Sequence, residues 1–204
     1  GQYQTEEDIL KYTHTAYIKA KQMKSLVDDL FEYTKVRQPA VPINFSAFDL
    51  IQLIEQLAAD FELEASKKHI QIVVTSQVDS LIMDGDTEKL VRVFNNLLTN
   101  ALKYGKGATK IVIEVEKIGS EVVATVKNNG AMIPQQAIDN LFDRFYRVEE
   151  SRSQETGGTG LGLAIAQSIV ALHGGYIYAK SDEHWTSFIM HLPLRKNEKL
   201  PIES

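Results

Sequence analysis

Two asparagines, a lysine and a tyrosine follow one another at helical spacing within residues 96–104. Asn96 and Asn100 are four residues apart, so a helix would present both carboxamides on one face. Carboxamide oxygens are hard, neutral ligands, which suit a magnesium ion whose charge is already offset by phosphates. Lys103 could reach a phosphate as a point charge, and Tyr104 offers a ring to stack on a base. The alternative is that the two asparagines only cover a solvated helix face.

A glycine-dense segment further along the chain could supply backbone amides. Four glycines between Gly157 and Gly162 allow the backbone to approach a ligand closely and to adopt positive φ angles. A helix that begins near Leu161 would point free amides and the positive end of its dipole at an anion. Together with the asparagine pair, this segment predicts a magnesium–triphosphate site. A flexible surface loop is the alternative interpretation.

Two shorter segments lie between these patterns. The segment 126–134 ends a predicted strand, and a polar side chain such as Asn128 at that point could read the edge of a base. An ordinary strand-to-helix turn would look similar. The segment Leu141–Arg147 combines aromatic and basic residues. Arg144 or Arg147 could meet a phosphate, whereas the aromatic rings could simply anchor a loop on the core.

Composition places the chain among ordinary globular proteins. Its 204 residues suffice for one good core plus an accessory element, and 44% of them are hydrophobic and 24% charged. The net charge of -5 argues against a nucleic-acid partner, which would need a basic face. The sequence has no cysteine, no apolar run of membrane-spanning length and no signal peptide. Gly1 suggests a piece of a longer protein.

Residues 6–36 predict one long helix. Apolar or small residues from Ile9 to Thr34 alternate at spacings of four and three, which forms a heptad seam that needs partner helices. A surface helix packed on the same domain is the alternative. Pro39 and Pro42 then break the helix and mark a short linker.

The remaining elements are grouped rather than strictly alternating, which favours an α+β fold, a two-layer α/β sandwich with a mixed sheet. Asp49 and Asp86 are expected to cap the helices that follow them, and Gly85 to form a turn. The predicted helices run over 49–67, from 86 through the asparagine pair, over 134–146 and over 161–173. The predicted strands are 70–74, 81–84, 111–116, 121–127, 176–181 and 187–192, with 111–116 and 121–127 forming an antiparallel hairpin. Residues 149–160 are expected to be a mobile loop and 195–204 a frayed tail.

The segments, in this order and spacing, resemble the sensor histidine kinases, a branch of the ATPase superfamily that includes Hsp90-type chaperones and type II topoisomerases. The similarity covers residues 6–193 and is closest to the vancomycin-resistance type. Five segments carry it: Asn96–Tyr104 resembles the N box, Asn128–Ile133 the first glycine box, Leu141–Arg147 the F box, Gly157–Leu163 the second glycine box, and Thr186–Phe188 the last motif.

The resemblance implies a role for each matching residue. Asn96 and Asn100 would hold Mg²⁺, and Lys103 and Arg147 would contact the phosphates of ATP. Residues 148–160 would form a lid over the nucleotide. The remaining implied nucleotide-binding residues are Tyr104, Asn128, Gly130, Ile133, Gly158, Thr159, Gly160, Leu161, Gly162 and Thr186.

The resemblance also implies a domain order and partners. Residues 1–38 would be the second helix of a dimerisation and phosphotransfer hairpin, 39–48 a linker, 49–194 the catalytic ATP-binding domain and 195–204 a tail. The full protein would form a homodimer through its hairpin helices, pass its phosphate to a response regulator and bind no nucleic acid. It would lie on the cytoplasmic side of a bacterial membrane, attached through segments outside this sequence.

The first glycine box departs from the usual pattern. The family typically has Asp-x-Gly-x-Gly, and its aspartate accepts a hydrogen bond from the exocyclic amine of adenine. Here Asn128 stands at the aspartate position and Met132 at that of the second glycine. Without the charge of the acceptor, the binding free energy of ATP is expected to be weaker by about 1 kcal/mol, which corresponds to about fivefold lower affinity.

The acceptor histidine is also missing. Autophosphorylation needs His-Glu/Asp-x-x-x-Pro, and none of the five histidines has that setting: His14, His69, His173, His184 and His191. The chain is therefore expected to bind ATP without phosphorylating itself. Two alternatives remain, a degenerate nucleotide-binding interaction module without turnover and a hydrolytic ATPase. Hydrolysis is disfavoured because Asn96 occupies the position at which the hydrolytic relatives have a glutamate that activates water.

Overall fold

Helices with one apolar face and strands rich in β-branched residues make up the domain. The structure is a computed structural model, and it describes residues 5–36, 43–148 and 158–194. The helices are α1 (Glu6–Val36), α2 (Leu50–Lys67), α3 (Thr87–Tyr104), α4 (Gln135–Ile138) and α5 (Gly162–Leu172). The strands are β1 (Ser46–Asp49), β2 (Gln71–Ser76), β3 (Ile82–Gly85), β4 (Lys110–Ile118), β5 (Glu121–Asn128), β6 (Tyr176–Ser181) and β7 (Thr186–Pro193).

Five strands form one mixed sheet in the order β2-β4-β5-β7-β6. β2 and β4 are parallel, and the other neighbours are antiparallel, including the predicted hairpin of β4 and β5. Alternate residues of β5 and β7 are buried, because α3 and α5 pack on one face of the sheet. The predicted two-layer sandwich with a mixed sheet is confirmed.

Two aspartates start the helices of this layer, as their sequence positions predict. The Asp49 carboxylate accepts the backbone N–H of Ile51 at 3.0 Å, and the Asp86 carboxylate accepts that of Lys89 at 3.1 Å. Each aspartate thus satisfies an N–H group that the first helical turn leaves unpaired. The caps fix where α2 and α3 begin. In α3 the apolar residues then fall on a single buried face.

The segment before α2 contains a strand that the sequence analysis assigned to the linker. Residues 46–49 form β1, which pairs antiparallel with β3 and brings Ser46 opposite Gly85. Gly85, predicted to be a turn, is the last residue of β3. A Cβ atom there would lie 3.0 Å from Leu90 and 3.1 Å from Phe48, so the glycine lets β1, β3 and α3 approach closely. Strands of four residues contain too little of an alternating pattern to be predicted from the local sequence.

The helix predicted over 134–146 is wrong in extent, because α4 ends at Ile138. Single three-residue turns follow, such as Asn140 N–H to Ala137 O at 3.2 Å. Phe145 has a φ of 60°, which a continuing helix does not allow, and its N–H donates to Gly160 O at 2.9 Å. A contact with a segment 15 residues away therefore overrides the local preference for a helix.

Several predicted segments fall outside the described residues. They are residues 149–157 of the predicted mobile loop, the predicted tail 195–204, residues 39–42 of the predicted linker, with Pro39 and Pro42, and residues 1–4 and 37–38 of the predicted hairpin-helix segment.

The predicted long helix is confirmed as α1, and much of its apolar surface is exposed. Leu10, Met23 and Phe31 are 66%, 68% and 64% exposed, whereas the side chain of Asp29 is buried near the C-terminal end, where α1 meets α5. In the described part of the chain, none of the helices has the length and apolarity needed to cross a membrane.

One buried histidine links the start of α3 to the end of α5. His173 is 4% exposed, its Nδ1 lies 2.8 Å from Ile169 O, and its Nε2 accepts the Asp86 N–H at 3.0 Å. Burial lowers the pKa of His173 below its ordinary value of 6.5. The neutral ring fits both contacts, since Nδ1–H donates while Nε2 accepts. A protonated ring would set two N–H groups against each other.

We predict that acid destabilises the fold through His173. Its pKa is lower in the folded chain, so the unfolded chain binds more protons between the two pKa values. The stabilisation is complete above pH 6.5 and is lost as pH falls toward the folded-state value. His173→Leu should lower the free energy of unfolding by about 1–3 kcal/mol at pH 7.5. It should also flatten the dependence of that free energy on pH between pH 7.5 and 5. Urea unfolding measures both. His184→Gln, at an exposed position, should leave the profile unchanged.

Candidate functional site

A cavity of about 950 Å³ opens between the C-terminal half of α3, the ends of β5 and β7, and the segment that leads into α5. It brings together twelve residues that the sequence analysis selected. These are Asn96, Asn100, Lys103, Tyr104, Asn128, Ile133, Arg147, Gly158, Thr159, Gly160, Gly162 and Thr186. Residues from five separate segments therefore share one space.

The charge of the cavity wall is strongly positive. Among the described residues that line it, one carboxylate, Asp29, faces five cationic side chains. A low-dielectric cleft lined by one sign of charge concentrates ligands of the opposite sign. The cavity therefore suits a polyanion, although the chain as a whole is acidic. The cations are Lys68, Arg92, Lys103, Lys106 and Arg147.

The asparagine pair lies on the face of α3 that lines the cavity. Asn96 Nδ2 donates to Gly162 O at 2.9 Å, which ties α3 to the first residue of α5. Because the donor side of this amide is engaged, its oxygen is the atom left to face a ligand. Asn100 lies one turn further along.

These amides fit a magnesium ion that also binds phosphate. Within residues 5–36, 43–148 and 158–194 no group of three or more His, Cys, Asp or Glu side chains could hold a metal. A metal here would therefore take neutral amide oxygens from Asn96 and Asn100 together with oxygens of the substrate.

Glycines let the second glycine box reach α3 and the F box. A Cβ atom on Gly158 would lie 1.9 Å from the hydroxyl of Tyr104, so a side chain there would displace the Tyr104 ring, which itself lines the cavity. Gly160 has a φ of 72°, and a Cβ there would lie 2.7 Å from Phe145 Cα. Both glycines are thus required by close contacts. Gly157, also selected from the sequence, lies outside the described residues.

Two residues selected from the glycine boxes do not line the cavity. Gly130 packs on a neighbouring loop, where an added Cβ would lie 2.7 Å from the carbonyl carbon of Gly105. Leu161 is fully buried, and its N–H donates to the hydroxyl of Thr159 at 3.2 Å. Gly130 therefore lies behind the wall of the cavity at the ends of β5 and β7, here called the base end. Leu161 anchors the start of α5 in the core.

At the base end of the cavity, hydroxyl groups connect the residues that the sequence analysis selected. Asn128 and Thr186 are each 3% exposed and face each other across β5 and β7. Thr186 Oγ1 lies 2.7 Å from Ser181 Oγ, which accepts the N–H of Ile133 at 2.9 Å. Ser181 was missed because only the register of β6 on β7 brings it here.

Two further residues that sequence reasoning missed lie at the other end. Asp29 of α1 is 9% exposed and accepts hydrogen bonds from Arg92 and, at 2.7 Å, from the hydroxyl of Thr159. Arg92 precedes Asn96 by four residues, so its place on the same helix face was predictable. The contact with Asp29 was not, because it spans 63 residues.

The two arginines of the F box lie in different surroundings. Arg147 lines the cavity, whereas the guanidinium of Arg144 lies 5.1 Å from the centre of the Tyr33 ring on α1. Of the two phosphate contacts considered from the sequence, the structure therefore keeps Arg147 at the site and places Arg144 against the long helix.

Known proteins with similar sequences decide the family. The family of Histidine kinase-, DNA gyrase B-, and HSP90-like ATPases matches residues 85–196, which include α3, β7 and most of the residues that line the cavity. The chain belongs to this ATPase family. The resemblance to sensor histidine kinases is confirmed by its relatives.

Two of the curated relatives are sensor proteins of Enterococcus faecium and Staphylococcus aureus. Sensor protein VanS of Enterococcus faecium is 38% identical over 183 residues, which cover 90% of this chain and 47% of VanS. Sensor protein kinase WalK of Staphylococcus aureus is 32% identical over 196 residues, which cover 95% of this chain and 47% of WalK. The chain thus spans about half the length of the curated relatives it matches.

Solved structures agree on the fold. The catalytic domain of histidine kinase ThkA superposes with a TM-score of 0.65 at 28% identity, over 75% of this chain and 97% of that domain. ThkA in complex with the response regulator protein TrrA superposes with a TM-score of 0.78 at 24% identity, over 97% of this chain and 55% of ThkA.

We predict that Gly160→Ala disrupts the site much more than Gly119→Ala does. Both glycines have positive φ, and each alanine should cost about 1–2 kcal/mol in backbone strain. Only at Gly160 does the new Cβ meet backbone, whereas at Gly119 it meets open space in the β4–β5 turn. Titration with an ATP analogue should show a loss of about tenfold or more for Gly160→Ala alone. Equal losses in the two variants would contradict the assignment of Gly160.

Proposed function

We propose that the chain is the ATP-binding catalytic part of a two-component sensor histidine kinase. It transfers the γ-phosphoryl group of ATP to a histidine on a hairpin helix outside these 204 residues. One observation carries the proposal: the asparagine pair of α3, the cations Lys103 and Arg147 and the glycine-rich start of α5 line a single cationic cavity. Sensor-kinase relatives that align along nearly the whole chain support it.

Each side of the cavity has a distinct task in this proposal. Asn96 and Asn100 hold Mg²⁺, which offsets charge that develops on the phosphate oxygens. Lys103 and Arg147 bind the phosphates, while Tyr104 and Ile133 pack on the adenine. Asn128 and Thr186 read the edge of the base. Gly158, Thr159, Gly160 and Gly162 hold the segment that closes over the phosphates.

The transfer step depends mainly on positioning. A lone pair of the acceptor imidazole attacks the γ-phosphorus, the bond to the β–γ bridging oxygen breaks, and ADP leaves with that electron pair while the imidazole gives up a proton to solvent. The residues of this chain orient donor and acceptor and neutralise charge, while the new covalent bond forms on the acceptor histidine outside it. Asn96 has no carboxylate with which to activate water, so the arrangement favours transfer over hydrolysis.

The domain order and partners follow from this function. We assign 1–38 to the second hairpin helix, 39–48 to a linker, 49–194 to the catalytic domain and 195–204 to a tail. The exposed apolar stripe of α1 supports pairing with further hairpin helices and a homodimer. The solved complex of ThkA with a response regulator supports a response regulator as the recipient of the phosphate. Attachment to a bacterial membrane, with this part in the cytoplasm, would come from segments outside the chain.

Phosphorylation in trans tests the proposal. ATP labelled at the γ-phosphate is incubated with the chain, Mg²⁺ and a two-helix fragment that carries a His-Glu/Asp-x-x-x-Pro acceptor. We expect label on the histidine of the fragment and none on the chain alone. Asn100→Ala should lower the initial rate by about 100-fold or more, as expected for loss of a group that positions the metal and phosphates.

Asn95→Ala is the matched control, since Asn95 precedes Asn96 on α3 but does not line the cavity. It should retain most of the rate. Binding of ATP without label on the fragment would favour the interaction module, and label on the chain alone would contradict the absence of an acceptor.

Because Asn128 is neutral, we predict that a charged residue at this position raises the affinity for ATP. Asn128→Asp restores a charged acceptor for the adenine amine and should tighten ATP binding about fivefold, or about 1 kcal/mol. Asn129→Asp is the control, because Asn129 lies outside the cavity and its Oδ1 accepts the N–H groups of Thr109 and Lys110 at 2.9 and 2.8 Å. Calorimetric titration measures both variants. Unchanged or weaker binding by Asn128→Asp would refute this role.

A further inference from the structure

A carboxylate of the long helix lies inside the cavity, in the region assigned to the phosphates. Asp29 is the acidic residue among the described lining residues, and both of its oxygens are used. Oδ1 accepts from Arg92 Nη2, and Oδ2 accepts from the hydroxyl of Thr159 at 2.7 Å. A buried carboxylate needs such partners, since burial without them costs several kcal/mol.

The two donors come from elements that already belong to the site. Arg92 lies one turn before Asn96 on α3, and Thr159 lies in the second glycine box. The Nε of Arg92 is buried and has no hydrogen-bond partner within the described residues. That atom is enclosed by protein, but the Arg92 side chain as a whole is 38% exposed. The guanidinium therefore keeps further N–H groups for an anion besides the one that Asp29 uses, and it can donate two parallel bonds to a single anion.

Arginine and hydroxyl donors bind carboxylate and phosphate oxygens alike. A triphosphate in this cavity would meet the negative charge of Asp29 as well as the donors that Asp29 now occupies. The carboxylate and a terminal phosphate thus compete for the same two groups. Their mutual repulsion in a partly buried site makes simultaneous occupancy unfavourable.

We propose that Arg92 and Thr159 form a subsite for the terminal phosphate of the nucleotide, and that Asp29 fills this subsite when no triphosphate is bound. The inference rests on the proposed function and adds Arg92 and Asp29 to the residues that govern binding. Since Asp29 belongs to α1, entry of the phosphate also removes the contacts that this residue makes with α3 and the lid segment.

Paired titrations with ADP and a non-hydrolysable ATP analogue, in excess Mg²⁺, test the subsite. Asp29→Asn keeps the shape of the side chain and removes its charge. We expect it to raise affinity for the ATP analogue about fivefold and affinity for ADP less than about twofold, because only the former places a phosphate at the subsite. Asp28→Asn is the matched control. Its exposed carboxylate pairs with Lys24 at 3.0 Å on the surface of α1, so neither affinity should change.

A second substitution tests Arg92 without stranding a buried carboxylate. In the Asp29→Asn background, Arg92→Gln should lower affinity for the ATP analogue about tenfold and leave ADP binding nearly unchanged. Thermal melting of each variant shows whether it remains folded, and the ratio of the two affinities within one variant is independent of its folded fraction.

The outcomes separate the two proposals. If the unmodified chain binds neither nucleotide, the proposed function fails. If it binds the ATP analogue, three results overturn the subsite while leaving the function intact: Asp29→Asn binds no more tightly, it changes both affinities by the same factor, or Arg92→Gln weakens both equally. Weaker binding by Asp29→Asn would instead indicate that Asp29 helps to hold the nucleotide or its metal.

Discussion

The position of α3 depends on the buried carboxylate of Asp86. This side chain caps α3 through the N–H of Lys89 and also accepts the N–H of Asn44 at 3.1 Å, while the Asp86 N–H donates to His173 at the end of α5. One residue thus joins α3, α5 and the segment that leads into β1. Because α3 is a rigid rod, fixing its first turn also fixes the cavity-lining side chains of its C-terminal half, Asn96, Asn100, Lys103 and Tyr104 among them. The position of α3 in turn determines where the ends of β5 and β7 and the glycine-rich segment can pack against this helix.

Features with a local signal could be predicted from the sequence. The caps by Asp49 and Asp86, the amphipathic α3 and the β4–β5 hairpin each depend on residues close together in the chain. So does the asparagine pair, whose spacing alone puts both amides on one face. The mixed sandwich and the family followed from the order of these local patterns.

Features that depend on distant partners could not be predicted. The helix predicted over 134–146 stops at Ile138, and Phe145 adopts a positive φ while its N–H donates to Gly160 O. β1 exists because β3 pairs with it, and Ser181 reaches the base end only through the register of β6 on β7. The contact of Asp29 with Thr159 spans 130 residues, far beyond any local periodicity. In each case tertiary packing decides between conformations that the local sequence leaves nearly equal.

The contact between Gly105 and Gly130 gives the two ends of the cavity different mechanical character. At the base end, Gly130 lies against the backbone of Gly105 with no room for a methyl group, so this wall is rigid and Gly130 cannot be replaced without moving Gly105. At the opposite end, the boundary consists of long, rotatable side chains such as Arg92 and Arg147. A homologous chain that carries a side chain at the position of Gly130 must therefore move the backbone at the position of Gly105, whereas a change of shape at the phosphate end needs only new side-chain rotamers.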